Sequence, residues 1–354
     1  MSARSLREHG LRIGELETGP ADSITDVGGV VVGHVTVVRD EPEPPAGRGV
    51  ARSGVTAIVP RDPSRLRAEP VVAGVAVLNG AGEMTSALAI GEWGLVATPI
   101  YLTATMSVGR IYDGAVAAAV AADPSVGVDD VVIPVVAECD DSWLNDARVV
   151  QVEAADAGRA LAAASGEVAQ GAVGAGTGMI CFDYKGGIGT SSRIASESGA
   201  VVGVLVLANF GSMADLRVDG VPVGRLLGEG PSGKHRRPGG SCIAVVATDA
   251  PLNSAQLVRL ARRAGLGLAR TGSVAHHHSG EIFVALSTSA RSPAAEYGED
   301  IDPLFSATVD ATEAAVLNAL WNAQTTRGRE GRVIEALPQD DVLELLAAHR
   351  RLEG

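Results

Sequence analysis

The chain has 354 residues, 46% hydrophobic and 20% charged, which is the profile of a folded protein with a sizeable core and not of a disordered chain. Asp and Glu outnumber Lys and Arg by 42 to 29, a formal net charge of −13, so the basic footprint that displaces counterions from nucleic acid is missing. Three widely spaced cysteines, Cys139, Cys181 and Cys242, argue against a disulfide framework or a structural zinc site.

In chain order, the opening MSARSLREHG leads into no apolar segment, and no apolar run approaches bilayer length; the expectation is a cytoplasmic protein with no membrane partner. Gly28–Val32, Val55–Val59, Val71–Leu78, Leu95–Leu102 and Val131–Ala137 are short apolar runs that predict strands buried on both faces. Alanine-rich stretches at Met84–Ile90, Ala115–Ala121 and Ala154–Ala164 predict helices packed close to a sheet. A glycine-dense segment, Gly171–Gly189, precedes another strand at Val201–Ala208. Leu227 to Gly240 reads as an exposed loop, followed at once by a strand over Cys242–Thr248. Asn253 is placed to cap a helix over Ser254–Ala264, and Ile282–Leu286 predicts one more strand. Helices are expected around Ala311–Gln324 and from Gln339 to Leu352. No linker divides the chain, so a single α/β domain over residues 1–354 is expected, with a layered sheet.

The segment with most chemical content is Pro238-Gly239-Gly240-Ser241-Cys242, which delivers a serine to the start of a buried strand. It reads either as a plain loop-to-strand turn or as a self-cleavage site. In the second reading Ser241 attacks the carbonyl of Gly240, the peptide becomes an ester, and hydrolysis leaves Ser241 as a new N-terminus. Glycine tolerates the strained backbone this requires. The freed α-amino group, with a reference pKa of about 7.7–8, can then act as base for its own hydroxyl.

The chain resembles the DmpA-type aminopeptidases, which include β-peptidyl aminopeptidases and L-aminopeptidase/D-esterase-amidases. The resemblance runs from about Ile24 to Pro338 and rests on ordered segments: Asp26-Val-Gly-Gly-Val-Val-Val-Gly-His34, Asn79-Gly-Ala-Gly-Glu83, Pro99-Ile-Tyr-Leu-Thr103, Gly174-Ala-Gly-Thr-Gly-Met179, Lys185-Gly-Gly-Ile-Gly-Thr-Ser-Ser-Arg193, Ala208-Asn-Phe-Gly211, Gly240-Ser-Cys242, Thr248-Asp-Ala-Pro-Leu252 and Ser279-Gly-Glu281. It implies a four-layer α-β-β-α sandwich of the DmpA/ornithine-acetyltransferase type. It also implies cleavage into an α chain 1–240 and a β chain 241–354 that stay intertwined, and assembly into homo-oligomers, commonly tetramers.

By the same resemblance Ser241 is the nucleophile, Ser279 and Glu281 accompany it, and Asn209 helps form the oxyanion hole. Glu138 matches the glutamate that holds a substrate's free amine, and Asp140 falls where relatives often carry a tyrosine, either displaced or serving the same ammonium. Ala104 stands where many relatives carry Asn. From the residues alone, Asn209 reads first as a strand terminator and Ser279–Glu281 as a hairpin turn, and Glu138, Asp140 and Asp141 read equally as a solvated loop after a strand. The expected function is a self-processing aminopeptidase or amidase for short amine-ended peptides, amides or esters, with no metal or organic cofactor. The alternatives are a related self-cleaving acyltransferase or endo-amidase, whose nucleophile is generally threonine, and a binding protein that keeps the fold without the chemistry.

Three further signals carry less. Gly174–Gly178 and Lys185–Gly189 look like phosphate cradles but fit no nucleotide motif. His276-His277-His278 are adjacent on an extended chain and cannot all converge on one metal ion. His34 reads as a buried, hydrogen-bonded histidine more than a catalytic one.

Overall fold

The computed structural model describes residues 6–196, 198–228, 240–290 and 301–352; most of the expected loop between Leu227 and Gly240, residues 229–239, lies outside them. The strands are β1 (Val31–Asp40), β2 (Val50–Val59), β3 (Val71–Gly80), β4 (Leu95–Val96), β5 (Ile100–Ala104), β6 (Val135–Cys139), β7 (Ile180–Cys181), β8 (Tyr184–Lys185), β9 (Gly187–Ile194), β10 (Val201–Asn209), β11 (Gly240–Thr248) and β12 (Ser279–Ser287). The helices are α1 (Pro63–Leu66), α2 (Ala87–Trp93), α3 (Val108–Ala122), α4 (Ala155–Ala162), α5 (Val223–Leu226), α6 (Ser254–Arg270), α7 (Asp302–Trp321) and α8 (Gln339–Ala348).

Two sheets stack face to face, a four-stranded one ordered β1-β2-β5-β6 and a six-stranded one ordered β4-β3-β12-β11-β10-β9. Their inner faces share one core, in which Leu205, Leu207, Ile243, Val245 and Val284 meet Ile58, Ile100, Leu102 and Ala137. The alternate residues of the large sheet, among them Val206, Ala244 and Phe283, pack on Leu257, Leu260 and Ala264 of α6 and Ala311 and Ala315 of α7. Val55, Tyr101 and Val136 of the small sheet pack on Ile111 and Ala115 of α3 and Ala157 and Ala160 of α4. Because both faces of each sheet are covered, the strands read as continuous apolar runs without alternation. The result is the expected four-layer α-β-β-α sandwich.

Close layers explain the small residues. A Cβ on Gly189 of β9 would stand 1.9 Å from the carbonyl oxygen of Ala315, so α7 sits almost on the strand backbone. Each core leucine such as Leu260 contributes about 1.5–3 kcal/mol by burial. Asn253 does cap α6: its side chain accepts from Gln256 N at 2.9 Å, and Gln256 Oε1 accepts from Asn253 N at 2.9 Å, a reciprocal capping box.

Three expectations need correction. The run Val131–Ala137 becomes a strand only from Val135, with Val131 and Ile133 exposed before it. The run Leu95–Leu102 is two strands in different sheets, β4 and β5, interrupted at Ala97–Pro99, where proline offers no N–H to a ladder. The first strand begins at Val31 and not Gly28, and it continues to Asp40 as a half-exposed edge.

Of most consequence for function is the centre of the large sheet. There β11 and β12 run parallel to one another, joined through α6, and each is antiparallel to its outer neighbour, β10 and β3 respectively.

Candidate active site

Ser241 is the second residue of β11 and lies directly opposite Asn209, the last residue of β10. Ile243 and Val245 point into the inter-sheet core, so by strand alternation Ser241 faces the same side. Opposed residues of an antiparallel pair share a face with Cβ atoms about 4.5–5.5 Å apart, which sets the Asn209 amide beside the Ser241 hydroxyl. Ser241 is buried, at 6% exposure, and Gly280 N donates to its Oγ at 3.3 Å. Gly240 has φ of +132°, and a Cβ there would stand 1.8 Å from the carbonyl oxygen of Asn209. Only glycine fits.

The Asn209 side chain is held at both ends. Its Oδ1 accepts from Ile180 N at 2.9 Å, and its Nδ2 donates to the Asp140 carbonyl at 2.9 Å. Ile180 is fixed by the β7–β8 hairpin, whose turn residues Phe182 and Asp183 have φ of 50° and 62°, as a primed hairpin turn requires. Phe182 N donates to Phe210 O at 2.7 Å, and the two rings pack edge to face. The amide nitrogen carries two hydrogens, so one N–H remains for a ligand. The strand-terminating role and an oxyanion role are therefore compatible in one side chain.

Ser279 and Glu281 open β12, so the hairpin turn foreseen as an alternative does not form. They pair in register with Gly240 and Cys242, while Gly280 pairs with Ser241. Both consequently sit on the face of the sheet opposite the Ser241 hydroxyl, and whatever they do for residue 241 passes through its main chain. The Ser279 hydroxyl donates to Glu281 Oε1. Glu281 Oε2 is buried and accepts no hydrogen bond. Burial pushes the Glu281 carboxyl up, against the lowering effects of the Ser279 hydroxyl and the Asn79 amide.

Glu138 lies near the end of β6 and is buried. Its Oε1 accepts from Glu83 N at 2.9 Å, and Oε2 accepts from the Thr105 hydroxyl. Burial again raises the carboxyl. Gly82 is the spacer between this carboxylate and the nucleophile strand: a Cβ on it would lie 3.2 Å from Glu138 Oε1 and 3.6 Å from Cα of Gly280. Asp140 is disposed differently. Its exposed carboxylate accepts from Ser142 N at 2.8 Å and Ser142 Oγ at 3.0 Å, and only its carbonyl reaches Asn209.

A nucleophile candidate and an amide donor thus face each other at one end of the large sheet, and a buried carboxylate of the facing sheet lies across Gly82 from them. The profile of peptidase family S58 matches residues 22–334. This chain belongs to peptidase family S58. It is 40% identical over 365 residues to the β-peptidyl aminopeptidase BapA of Sphingosinicella microcystinivorans, covering 94% of this chain and 90% of that one. The crystal structure of the PH0078 protein from Pyrococcus horikoshii OT3 superposes with a TM-score of 0.90 at 40% identity, over 99% of this chain and 100% of that one. The L-aminopeptidase D-Ala-esterase/amidase of Ochrobactrum anthropi, a prototype serine aminopeptidase with a variant of the Ntn hydrolase fold, gives 0.89 at 37% identity over 99% of each chain. The S58 chain is accordingly an enzyme, a serine aminopeptidase of the N-terminal-nucleophile class.

Several parts of this S58 site carry no role in the sequence reading. Asn79 Nδ2 donates to the His276 carbonyl at 2.8 Å, tying the end of β3 to the approach to β12. Glu83 and Thr105 hold Glu138, and Ile180 holds Asn209, but only tertiary contact reveals them. The glycines of Gly174–Gly178 are buried turns: a Cβ on Gly176 would meet Ile188 N at 2.5 Å, and one on Gly178 would meet Arg52 O at 2.2 Å, leaving no room for a phosphate. His34 Nδ1 is 2.9 Å from Thr56 Oγ1, and burial holds its imidazole down at about 4. Among the described residues no three His, Cys, Asp or Glu side chains are grouped as metal ligands, the His276–His278 run included.

Proposed function

We propose that the chain cuts itself between Gly240 and Ser241 into an α chain 1–240 and a β chain 241–354. Ser241 is then the N-terminal nucleophile of an aminopeptidase/amidase that hydrolyses short peptides, amides or esters carrying a free amine. The observation that carries this reading is the Gly240–Ser241 link itself, in a backbone conformation open only to glycine, with the serine hydroxyl beside the Asn209 amide.

In self-cleavage, Ser241 Oγ adds to the Gly240 carbonyl carbon. The Gly240–Ser241 C–N bond breaks as its nitrogen takes up the hydroxyl proton, leaving an ester. Water hydrolyses that ester to the Gly240 carboxylate and a free Ser241 amine. In turnover, this amine accepts the Oγ proton as Oγ adds to the scissile carbonyl, and returns it to the leaving amine. The free N–H of Asn209 donates to the oxyanion, a contribution worth about a hundred- to a thousand-fold in rate. Water then releases the acyl group by the same proton path. Glu281 Oε2, buried and without a donor, is the acceptor for the new ammonium, and Ser279 orients that carboxylate. Glu138 pairs with the substrate ammonium, and Asp140 acts through its carbonyl on Asn209. No step draws on a metal or cofactor.

Assembly into a tetramer of αβ protomers is supported by the exposed apolar residues Leu78, Leu88, Trp93 and Leu266. A cytoplasmic location is supported by three buried cysteines that form no disulfide.

The test is the intact mass of the purified protein beside its Ser241→Ala variant. Two fragments meeting at Gly240/Ser241 in the wild type, with an uncut variant, are expected. A wild-type chain still whole after long incubation overturns the reading.

A further inference from the structure

Arginine supplies all but two of the chain's 29 cationic residues; the lysines are Lys185 and Lys234. Lys185 is fully buried. Its Nζ donates to three main-chain carbonyls, those of Gly176 at 3.0 Å, Met179 at 2.7 Å and Gly186 at 2.8 Å. Three acceptors need three N–H donors, which an ammonium has and a neutral amine lacks. The planar guanidinium that this chain otherwise prefers cannot present three donors in that array. Among the described residues Lys185 forms no ion pair, and burial lowers its amine to about 7; below that pH a charge is buried without a contacting carboxylate, which is costly. A neutral donor could tie the same loop together at less cost.

The Met179 carbonyl belongs to the same peptide unit as Ile180 N–H, and Ile180 N–H is the group that donates to Asn209 Oδ1. The hydrogen bonds therefore run in one direction, from the Lys185 ammonium through the 179–180 peptide to the Asn209 amide. Each bond in such a chain polarises the next, and in a buried setting the effect is not screened by water. We propose that Lys185 is a positioning and polarising residue for catalysis. It acts through the Met179–Ile180 peptide to make the Asn209 amide N–H a stronger oxyanion donor. The inference rests on the proposed role of Asn209 and adds to it a residue that touches neither substrate nor nucleophile.

The test is a double-mutant cycle of Lys185→Met and Asn209→Ala, with rates taken per mole of processed enzyme on an amine-ended p-nitroanilide. Lys185→Met is expected to lower kcat about tenfold in the wild type with KM within twofold, and less than twofold in the Asn209→Ala background. The carbonyl stretch of a trapped acyl-enzyme moves to higher frequency in Lys185→Met. Equal losses in both backgrounds, or a loss confined to KM, would mean a structural tie only and overturn the proposal. A fully active Asn209→Ala enzyme overturns the oxyanion reading, and this one with it, by a different pattern. Should Lys185→Met fail to process, Ile180→Pro is the second variant. It removes the connecting N–H while leaving Lys185 and its carbonyls in place, and Met179, at φ −79° and ψ 149°, already has the backbone that a residue before proline adopts. A similar kcat loss supports the relay; wild-type kcat in Ile180→Pro overturns it.

Discussion

The carbonyl oxygen of Asn209 occupies the space that a side chain on residue 240 would need, 1.8 Å from a Cβ built there. The residue preceding the proposed nucleophile is thus selected by the backbone of the strand that carries Asn209. Gly240→Ala is expected to remain uncut where the wild type processes. It is also expected to lose about 1–3 kcal/mol from the positive φ alone, before the clash is counted. Intact mass and a thermal melt check both; a processed alanine variant of wild-type stability contradicts the geometry.

Glu138 is expected to act on binding more than on rate. Replacing it by Gln removes an ion pair worth about 1.5–3 kcal/mol, a KM increase of roughly ten- to a hundredfold for amine-ended substrates, with kcat little changed. Anchoring needs the carboxylate, and burial places its titration above the ordinary carboxylate value. In the wild type, 1/KM therefore falls as pH drops through that raised value, and in Glu138→Gln this limb is absent. KM against pH for both proteins decides it.

Glu281→Gln is expected to shift the acid limb of kcat/KM to lower pH. A carboxylate beside the Ser241 ammonium favours the charged form and raises its pKa, and the base that starts the reaction is the neutral amine. Removing the anion frees that amine at lower pH. A limb that stays in place or moves upward speaks against Glu281 as the ammonium's partner.

Away from the site, burial pushes Glu313 of α7 up to about 7, even with Arg270 nearby. Between the unfolded value and this raised one the folded state binds more protons, so this group's contribution to stability is lost as pH rises through about 4.5 to 7. Glu313→Gln lacks that loss. It is expected to match the wild type near pH 4.5 and to exceed it by about 1–3 kcal/mol at pH 8, measured by urea unfolding at the two pH values.

Activity is expected to survive exhaustive EDTA treatment within twofold, since no proposed step uses a metal. Loss of activity that zinc restores would overturn that part of the mechanism.

The layered architecture is legible because strands covered on both faces are continuous apolar runs and the helices against them are alanine-rich. What escapes is anything decided by partners distant in sequence. Leu95 and Ile100 sit in one apolar run, yet they join different sheets, and no local period records that. Glu138 and Asp140 are two residues apart with like chemistry, but Glu138 turns inward against Glu83 and Thr105 whereas Asp140 closes a turn on Ser142. Ser241, Asn209 and Ser279–Glu281 emerge from the family resemblance and not from composition, since each has an ordinary structural reading by itself. Lys185 stands inside one of the resembling segments, but its burial and its three carbonyls depend on a fold no local pattern encodes.

The parallel pair β11–β12 lies between β3 and β10, so a cut at Gly240 leaves the newly separated piece wedged into the middle of a sheet. Its strands keep an order that was set while the chain was still continuous. Once unfolded, two pieces would have to meet and insert a central pair into a sheet already missing its middle, a bimolecular step with no covalent guide. An enzyme cut as proposed would then be held by its barrier to unfolding and not by a reversible equilibrium: folding would come first, the cut second, and the sequence of events would run one way.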